Sequence, residues 1–240
     1  MNRLKKSVRN IARAAGFDVV RYVPRRHPLA RRKKMLEIYQ INLVLDIGAN
    51  IGQYGEELRE IGYKGKIISF EPLSTAFKTL IKRSEGDPAW EIHNFALGDK
   101  NETASINIAG NSYSSSLLDI LPSHTKSAPE SVYVGHEEIK VKILDDIYSD
   151  VVNDSDRVYL KIDTQGFEEN VLRGAEGSLE SIDTIQLEMS LTPLYQDGLL
   201  FDEMYSLLCR KGYVLVALEP GFTDEETGQL LQVDGIFHRM

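Results

Sequence analysis

The stretch LVLDIGANIGQYG, residues 43–55, decides the fold. An apolar run of strand length ends in a carboxylate, Asp46, breaks at Gly48 and turns helical after Gly52, so the pattern passes from buried strand to helix within a few residues. Gly48 permits a tight turn, and the backbone from Ala49 to Gly52 can approach a ligand with little Cβ obstruction. In an open α/β sheet, ligands sit beyond the carboxyl ends of the strands, where strand order reverses. A strand-end carboxylate there suits a cationic or zwitterionic nucleoside. A dinucleotide fold would need G-x-G-x-x-G so that pyrophosphate could rest on a helix N-terminus. Here the pattern is Gly48, Asn50, Gly52, with Gln53 where a glycine would be wanted, and Asp46 would repel phosphate. No Gly-Lys-Ser/Thr follows, so a P-loop is absent as well.

Outward from this corner, apolar runs predict strands at 43–47, 66–70, 91–95, 158–162, 184–188, 213–218 and 233–237. Helical patterns fall near 52–61, 74–84, 167–173 and 201–211. Alternation of this kind is the rhythm of right-handed crossovers in a mostly parallel sheet, hence a doubly wound α/β domain. Two further strand-like pieces, ETASINIA and HEEIKVKILDDI, flank a polar stretch from Gly110 to Gly135 with too few apolar positions for a core. An insertion at about 102–143 reads either as a lid or substrate loop or as a surface excursion.

The other strand ends carry their own candidates. KIISFEP ends in Glu71, 25 residues after Asp46, where a carboxylate can accept both hydroxyls of a ribose; a solvated strand-end acid is the alternative. HNFALGD brings Asn94 and Ala96 to the same edge, able to border an adenine. LKIDTQGFEENVLRGA ends its strand at Asp163, which faces the crevice or else forms a turn or caps the helix.

The ordered set LDIGANIGQYG, SFEP, NFALGD, LKIDTQGFE…VLRGA and a final VDGIFHR, spread over roughly residues 17–240, resembles the FkbM family of S-adenosylmethionine-dependent methyltransferases. The resemblance implies a Rossmann-like, seven-stranded class I methyltransferase sheet with its last strand antiparallel and helices on both faces. It also implies S-adenosylmethionine as methyl donor and O-methylation, often of sugars or glycosylated products. By the same resemblance Asp46, Gly48, Asn50 and Gly52 hold the methionine part, Glu71 the ribose, Asn94 and Ala96 the adenine, and Asp163 stands near the reacting centre. Asn50 replaces the middle glycine of the wider methyltransferase fingerprint, and Gln165 stands where many members have Glu.

A sugar hydroxyl is a poor nucleophile at neutral pH and calls for a base or a metal. His124 in the inserted segment is the expected base, with Asp163 and Glu188 as the other catalytic candidates; Ser115, Ser116, Tyr133 and His136 are the expected substrate contacts. Asp163 and Glu188 form an acidic pair able to hold Mg²⁺, but Met189 and Ser190 follow where metal-dependent sugar methyltransferases usually carry adjacent aspartates, so a metal is not expected. An RNA methyltransferase would usually show an Asn/Asp-Pro-Pro-aromatic motif where this chain has Asp163-Thr164-Gln165-Gly166. A non-catalytic nucleoside-binding scaffold is the remaining alternative.

Composition bounds the rest. At 240 residues, with 42% hydrophobic and 27% charged, the chain is an ordinary folded, soluble protein. Its single cysteine, Cys209, forms no internal disulfide, fits a cytoplasmic setting and reads as a small buried hydrophobe. Residues 1–40 hold twelve Lys or Arg against Asp18 and Glu37, ten positive charges in excess; the remainder holds sixteen against thirty-four, eighteen negative in excess. We therefore divide the chain into a basic, helical N-terminal extension, 1–40, and a methyltransferase domain, 41–240. Within the arm, Leu4, Val8, Ile11, Ala12 and Ala15 share a helix face. It packs on an acidic body, lies against anionic lipid at the inner membrane surface, or moves freely. An acidic body disfavours nucleic acid as a partner.

Overall fold

The computed structural model describes residues 3–17, 23–24 and 27–240. Residues 1–2, 18–22 and 25–26 of the predicted arm lie outside the described residues. In chain order the elements are α1 (Arg3–Ala14), α2 (Pro28–Ile38), β1 (Leu43–Ile47), α3 (Gln53–Glu60), β2 (Lys66–Phe70), α4 (Ser74–Ser84), β3 (Trp90–His93) and β4 (Ala96–Leu97). There follow β5 (Glu102–Ala109), α5 (Pro122–Ser127), β6 (Tyr133–Lys142), α6 (Leu144–Val151), β7 (Val158–Ile162), α7 (Glu168–Arg173), β8 (Ile182–Ser190), α8 (Phe201–Arg210), β9 (Tyr213–Pro220) and β10 (Gln232–Arg239).

The main sheet has seven strands in the order β3-β2-β1-β7-β8-β10-β9. Strands β3, β2, β1, β7 and β8 run parallel, while β10 enters antiparallel between β8 and β9. Strand order reverses between β1 and β7, which places the crevice at their carboxyl ends. All five residues of β1 and of β7 are buried, as expected where helices cover both faces of a parallel sheet. One face packs Leu45, Phe70, Leu160 and Leu187 with Val171 of α7 and Leu208 of α8. The other packs Val44, Ile67, Tyr159 and Ile236 under Leu36 of α2 and Leu58 of α3.

Four readings of the sequence are revised. The strand expected over 91–95 stops at His93, and Ala96–Leu97 pairs instead with β6 in a separate three-stranded sheet, β4-β6-β5. HEEIKVKILDDI is not one strand, because β6 ends at Lys142 and Leu144 opens α6. Asp145 and Asp146 stand in the first helical turn, where the helix dipole favours acids, and the Asp145 carboxylate accepts from the backbone N–H of Gly177 and Ser178 at 2.8 Å each. The polar stretch 110–135 is not merely surface, since Ser114, Ser116, His124, Ala128 and Ser131 are all buried; small side chains with local hydrogen bonds fill that interior without an apolar pattern. Cys209, expected inside, is exposed on α8.

The 1–40 segment divides in two. Helix α2 belongs to the body: its buried Arg32 guanidinium lies 2.6 Å from Glu219 and 3.3 Å from Glu57, and Leu36 enters the core. On and after α1, by contrast, Val8, Ile11 and Phe17 are exposed at 49%, 72% and 71%. No helix among the described residues is long and apolar enough to cross a membrane.

Candidate active site

The β1–α3 loop builds the floor of a cavity of about 750 Å³, open to solvent. Gly48 has φ +74°, and a Cβ there would stand 1.9 Å from the carbonyl oxygen of Asp163; the two strand ends touch backbone to backbone, and only glycine fits. The N–H groups of Gly48, Ala49, Asn50 and Gly52 are bonded internally. Gly48 and Ala49 both donate to the Phe70 carbonyl at 3.1 Å, and the Asn50 N–H donates to Glu71 Oε2 at 2.8 Å. Asn50 itself is held at φ +48°, a left-handed conformation that asparagine tolerates better than most residues. The loop thus shapes the floor of the cavity. The Asn50 Oδ1 and Gln53 Oε1 atoms, on two residues of the cavity wall, have no partner among the described residues.

Glu71 stands at the end of β2, buried, with Oε1 accepting from the Leu73 N–H at 2.8 Å. Burial pushes its carboxyl up to about 7, against the pull of the two backbone donors. Ala96, Leu97, Ile106, Leu117 and Phe167 supply apolar wall.

The end of β7 carries the polar side. Lys161 is buried and puts its ammonium 3.1 Å from Asp46 Oδ1, 3.1 Å from the Gly48 carbonyl and 3.5 Å from Asp163 Oδ2. Burial works against that charge, but Asp46 and Asp163 outweigh it and hold the lysine above its ordinary range. Asp163 lines the cavity, half-exposed, and its Oδ1 accepts from Gln165 Nε2 at 2.8 Å. The same amide donates to Glu188 Oε2 at 3.0 Å, and the Gln165 carbonyl side accepts from Tyr195 OH at 2.7 Å. Glu188 takes a second donor, Gln232 Nε2, at 2.6 Å. Burial and then the neighbouring Asp163, Glu168 and Asp234 push its carboxyl well above the ordinary carboxylate range. Glu168 fastens the turn, accepting from the Thr164 and Gly166 N–H groups at 2.9 and 3.2 Å.

The residues expected at the site are therefore sorted by position. Gly48, Asn50, Glu71, Ala96, Ser115 and Asp163 come together on the cavity wall. Asp46 does not: fully buried, it lies beneath the loop, neutralised by Lys161 and bonded by Ser69 Oγ at 3.1 Å. Ala49 is buried in the floor, and Gly52 faces Leu80 and Trp90, where α3 crosses β3. Asn94 is exposed and donates to the Glu71 and Pro72 carbonyls, bracing the loop after β2. Ser116 pins the insertion to the β7 turn by donating to the Gln165 carbonyl at 2.7 Å, and Tyr133 OH donates to Leu118 O at 2.7 Å. His136 points away from the site on the exposed side of β6.

His124 is the main correction. It is 3% exposed, packed against Tyr195 and Phe222 with ring centroids 5.1 Å away in each case, and is not among the cavity-lining residues. Burial lowers its pKa to about 4. A base must reach the proton it takes, and this imidazole is walled off. Glu188 likewise stands off the cavity wall and reaches it only through its hydrogen bond with Gln165. The sequence reading missed Lys161, Glu168 and Tyr195; a lysine inside an otherwise apolar five-residue strand was the available signal, because such a charge is buried only with a partner. No group of three or more His, Cys, Asp or Glu placed to hold a metal occurs among the described residues.

The chain matches the Methyltransferase FkbM domain over residues 46–215. No curated protein matches it. Among solved structures it is similar to a methyltransferase FkbM from Methylobacillus flagellatus KT, at 18% identity and a TM-score of 0.49, covering 81% of this chain and 43% of that one. It is also similar to a precorrin-6y C5,15-methyltransferase from Geobacter metallireducens GS-15, at 14% identity, a TM-score of 0.44 and coverage of 88% and 86%. A proposed RNA methyltransferase from Pyrococcus horikoshii gives 13%, 0.45, 90% and 86%. This chain spans less than half the length of the first of these. The domain match runs from the carboxylate of β1 into β9 and takes in every element that builds the cavity, and on it the chain belongs to the FkbM family of methyltransferases.

Proposed function

We propose that the chain is an S-adenosylmethionine-dependent O-methyltransferase acting on a hydroxyl of a sugar, glycan or glycosylated product. The observation that carries this reading is one cavity lined by Asn50, Glu71 and Asp163 from three adjacent strand ends and roofed by Ser112, Tyr113 and Ser115 of the insertion. The glycine floor and the unpartnered Asn50 and Gln53 oxygens fit the donor's methionine end, Glu71 its ribose, and the Leu97–Phe167 wall its base. When bound, S-adenosylmethionine supplies an electrophilic methyl on a positively charged sulfur, whose C–S bond breaks, with its electron pair left on sulfur, as the O–C bond forms.

This chain's own residues then have two tasks. The first is to hold the hydroxyl in line with the methyl, which accounts for most of the acceleration available to such a displacement. The second is to receive the hydroxyl proton, and Asp163 is the carboxylate on the cavity wall that suits it. Lys161 and Gln165 fix its two oxygens. Peripheral contact of α1 with anionic lipid is part of the same reading, supported by its exposed apolar residues.

Calorimetry with S-adenosylmethionine and S-adenosylhomocysteine, followed by transfer of labelled methyl to glycan fractions and to RNA, tests it. One-site binding and label in glycan are expected. Absence of binding to both nucleosides sinks the reading. Binding without turnover favours a scaffold, and label in RNA favours the RNA enzyme that the acidic body argues against.

A further inference from the structure

A second cleft, of about 830 Å³ and open to solvent, lies on the α2–α3 side of the sheet, over the carboxyl end of β7 and the middle of β8. Asp163 and Gln53 line both it and the donor cavity. They form the partition between the two spaces, so a molecule in the cleft meets the donor cavity across the carboxylate placed to take a proton. The partition is therefore one approach to the donor cavity for a second reactant.

The chemistry of the cleft limits what that reactant is. Its cations are already matched: Arg32 by Glu219 at 2.6 Å and Glu57 at 3.3 Å, Lys161 by Asp46 at 3.1 Å. Its carboxylates outnumber them, with Asp163, Asp234, Glu57 and Glu219 all on the lining. Among the described residues a phosphate or carboxylate ligand finds no unmatched positive charge there, and desolvating one beside four acids is costly. Gln186 is held rigidly, its Oε1 accepting from Tyr54 OH at 2.9 Å and Tyr159 OH at 2.7 Å, and its amide donates to Asp234 Oδ1 at 3.2 Å. Asp234 is thereby oriented as an acceptor. The buried Arg32 Nε is a donor with no partner among the described residues, and Pro28, Leu29 and Pro220 give apolar rim.

Resting on the donor reading above, we infer that this cleft is the acceptor subsite and takes a hydroxyl-rich glycosyl unit, neutral or amino-bearing, without a phosphate or carboxylate group. Asp234 accepts hydroxyl or amino donors, Leu29 and the two prolines meet the C–H face of the ring, and the reacting hydroxyl points at Asp163.

The test uses the full chain saturated with S-adenosylhomocysteine and saturation-transfer NMR with four probes: methyl β-glucopyranoside, methyl β-glucosaminide, glucose 6-phosphate and glucuronate. The first two are expected to give signal and the last two none. Leu29→Trp, which fills the rim and leaves the polar network intact, and Asp234→Ala should each cut the glycoside signal about fivefold or more, the cost of roughly one lost contact, with nucleoside affinity within about twofold. Thermal melts establish that both variants fold, and the rim variant suffices if Asp234→Ala does not. Failure of the wild type to bind S-adenosylhomocysteine would overturn the donor reading itself. Nucleoside binding combined with silent glycosides, unchanged signal in the variants, or equal signal from the anionic sugars would overturn the cleft and leave the donor reading standing.

Discussion

Glu71 carries two backbone N–H groups on its two oxygens and still lines the cavity. Because burial raises its pKa to about 7, it gains its negative charge as pH rises through neutrality, and a cationic donor should then bind more tightly. We expect affinity for S-adenosylmethionine to rise between about pH 6 and 8 by up to roughly tenfold, one pKa unit's worth of interaction, and Glu71→Gln to flatten that profile. Calorimetry at three pH values measures it. A flat wild-type profile would mean that the carboxylate only braces the loop. At this scale the sequence was a good guide to which carboxylates end strands and a poor one to what they touch. Asp46 and Asp163 look alike on the page, each closing an apolar run. Yet the first is buried against Lys161 and the second stands on the wall, a difference set by one lysine on the neighbouring strand.

That lysine joins two elements. Residues Asp46 and Lys161 are direct partners in the β1–β7 register, so the ion pair crosses the point where strand order reverses, under the loop that forms the cavity floor. Removing the cation leaves a fully buried carboxylate uncompensated, and we expect Lys161→Met to cost about 3–5 kcal/mol in urea unfolding. Adding Asp46→Asn should recover a good part of the loss, because a neutral amide no longer needs the charge. A single variant as stable as the wild type, or a double variant no better than the single, would show that the pair does not hold the strands. Most of the strands and helices of the main sheet were legible, since parallel strands covered on both faces give unbroken apolar runs. Helix α6 was not, because IKVKILDDI keeps strand-like alternation up to the residue where two acids open a helical turn. Nor was the insertion's interior, where His124 and the serines are buried by local hydrogen bonding and ring packing that leave no periodic trace.

At the scale of the whole molecule the charge is split, and the structure divides the basic segment further than composition did. Arg32 of α2 is spent inside the body on Glu219 and Glu57. The segment before it, residues 1–16, carries Arg3, Lys5, Lys6, Arg9 and Arg13 and no acid, with Val8 and Ile11 exposed on the helix and Phe17 exposed just beyond it. Cations and exposed apolar residues on one short helix match an anionic bilayer surface, which accepts both at once. Each basic residue near such a surface contributes about 1 kcal/mol, screened by salt. Full-length protein should therefore sediment with phosphatidylglycerol vesicles, not with phosphatidylcholine ones, and less so as salt rises. Deleting residues 1–16 should abolish this, and Ile11→Asp should weaken it at every salt concentration, because it removes apolar burial rather than positive charge. If the deletion sediments like the full chain, the arm is not the anchor. If Ile11→Asp changes nothing while salt still releases the protein, the helix meets the bilayer by charge alone and its exposed apolar residues do not enter it.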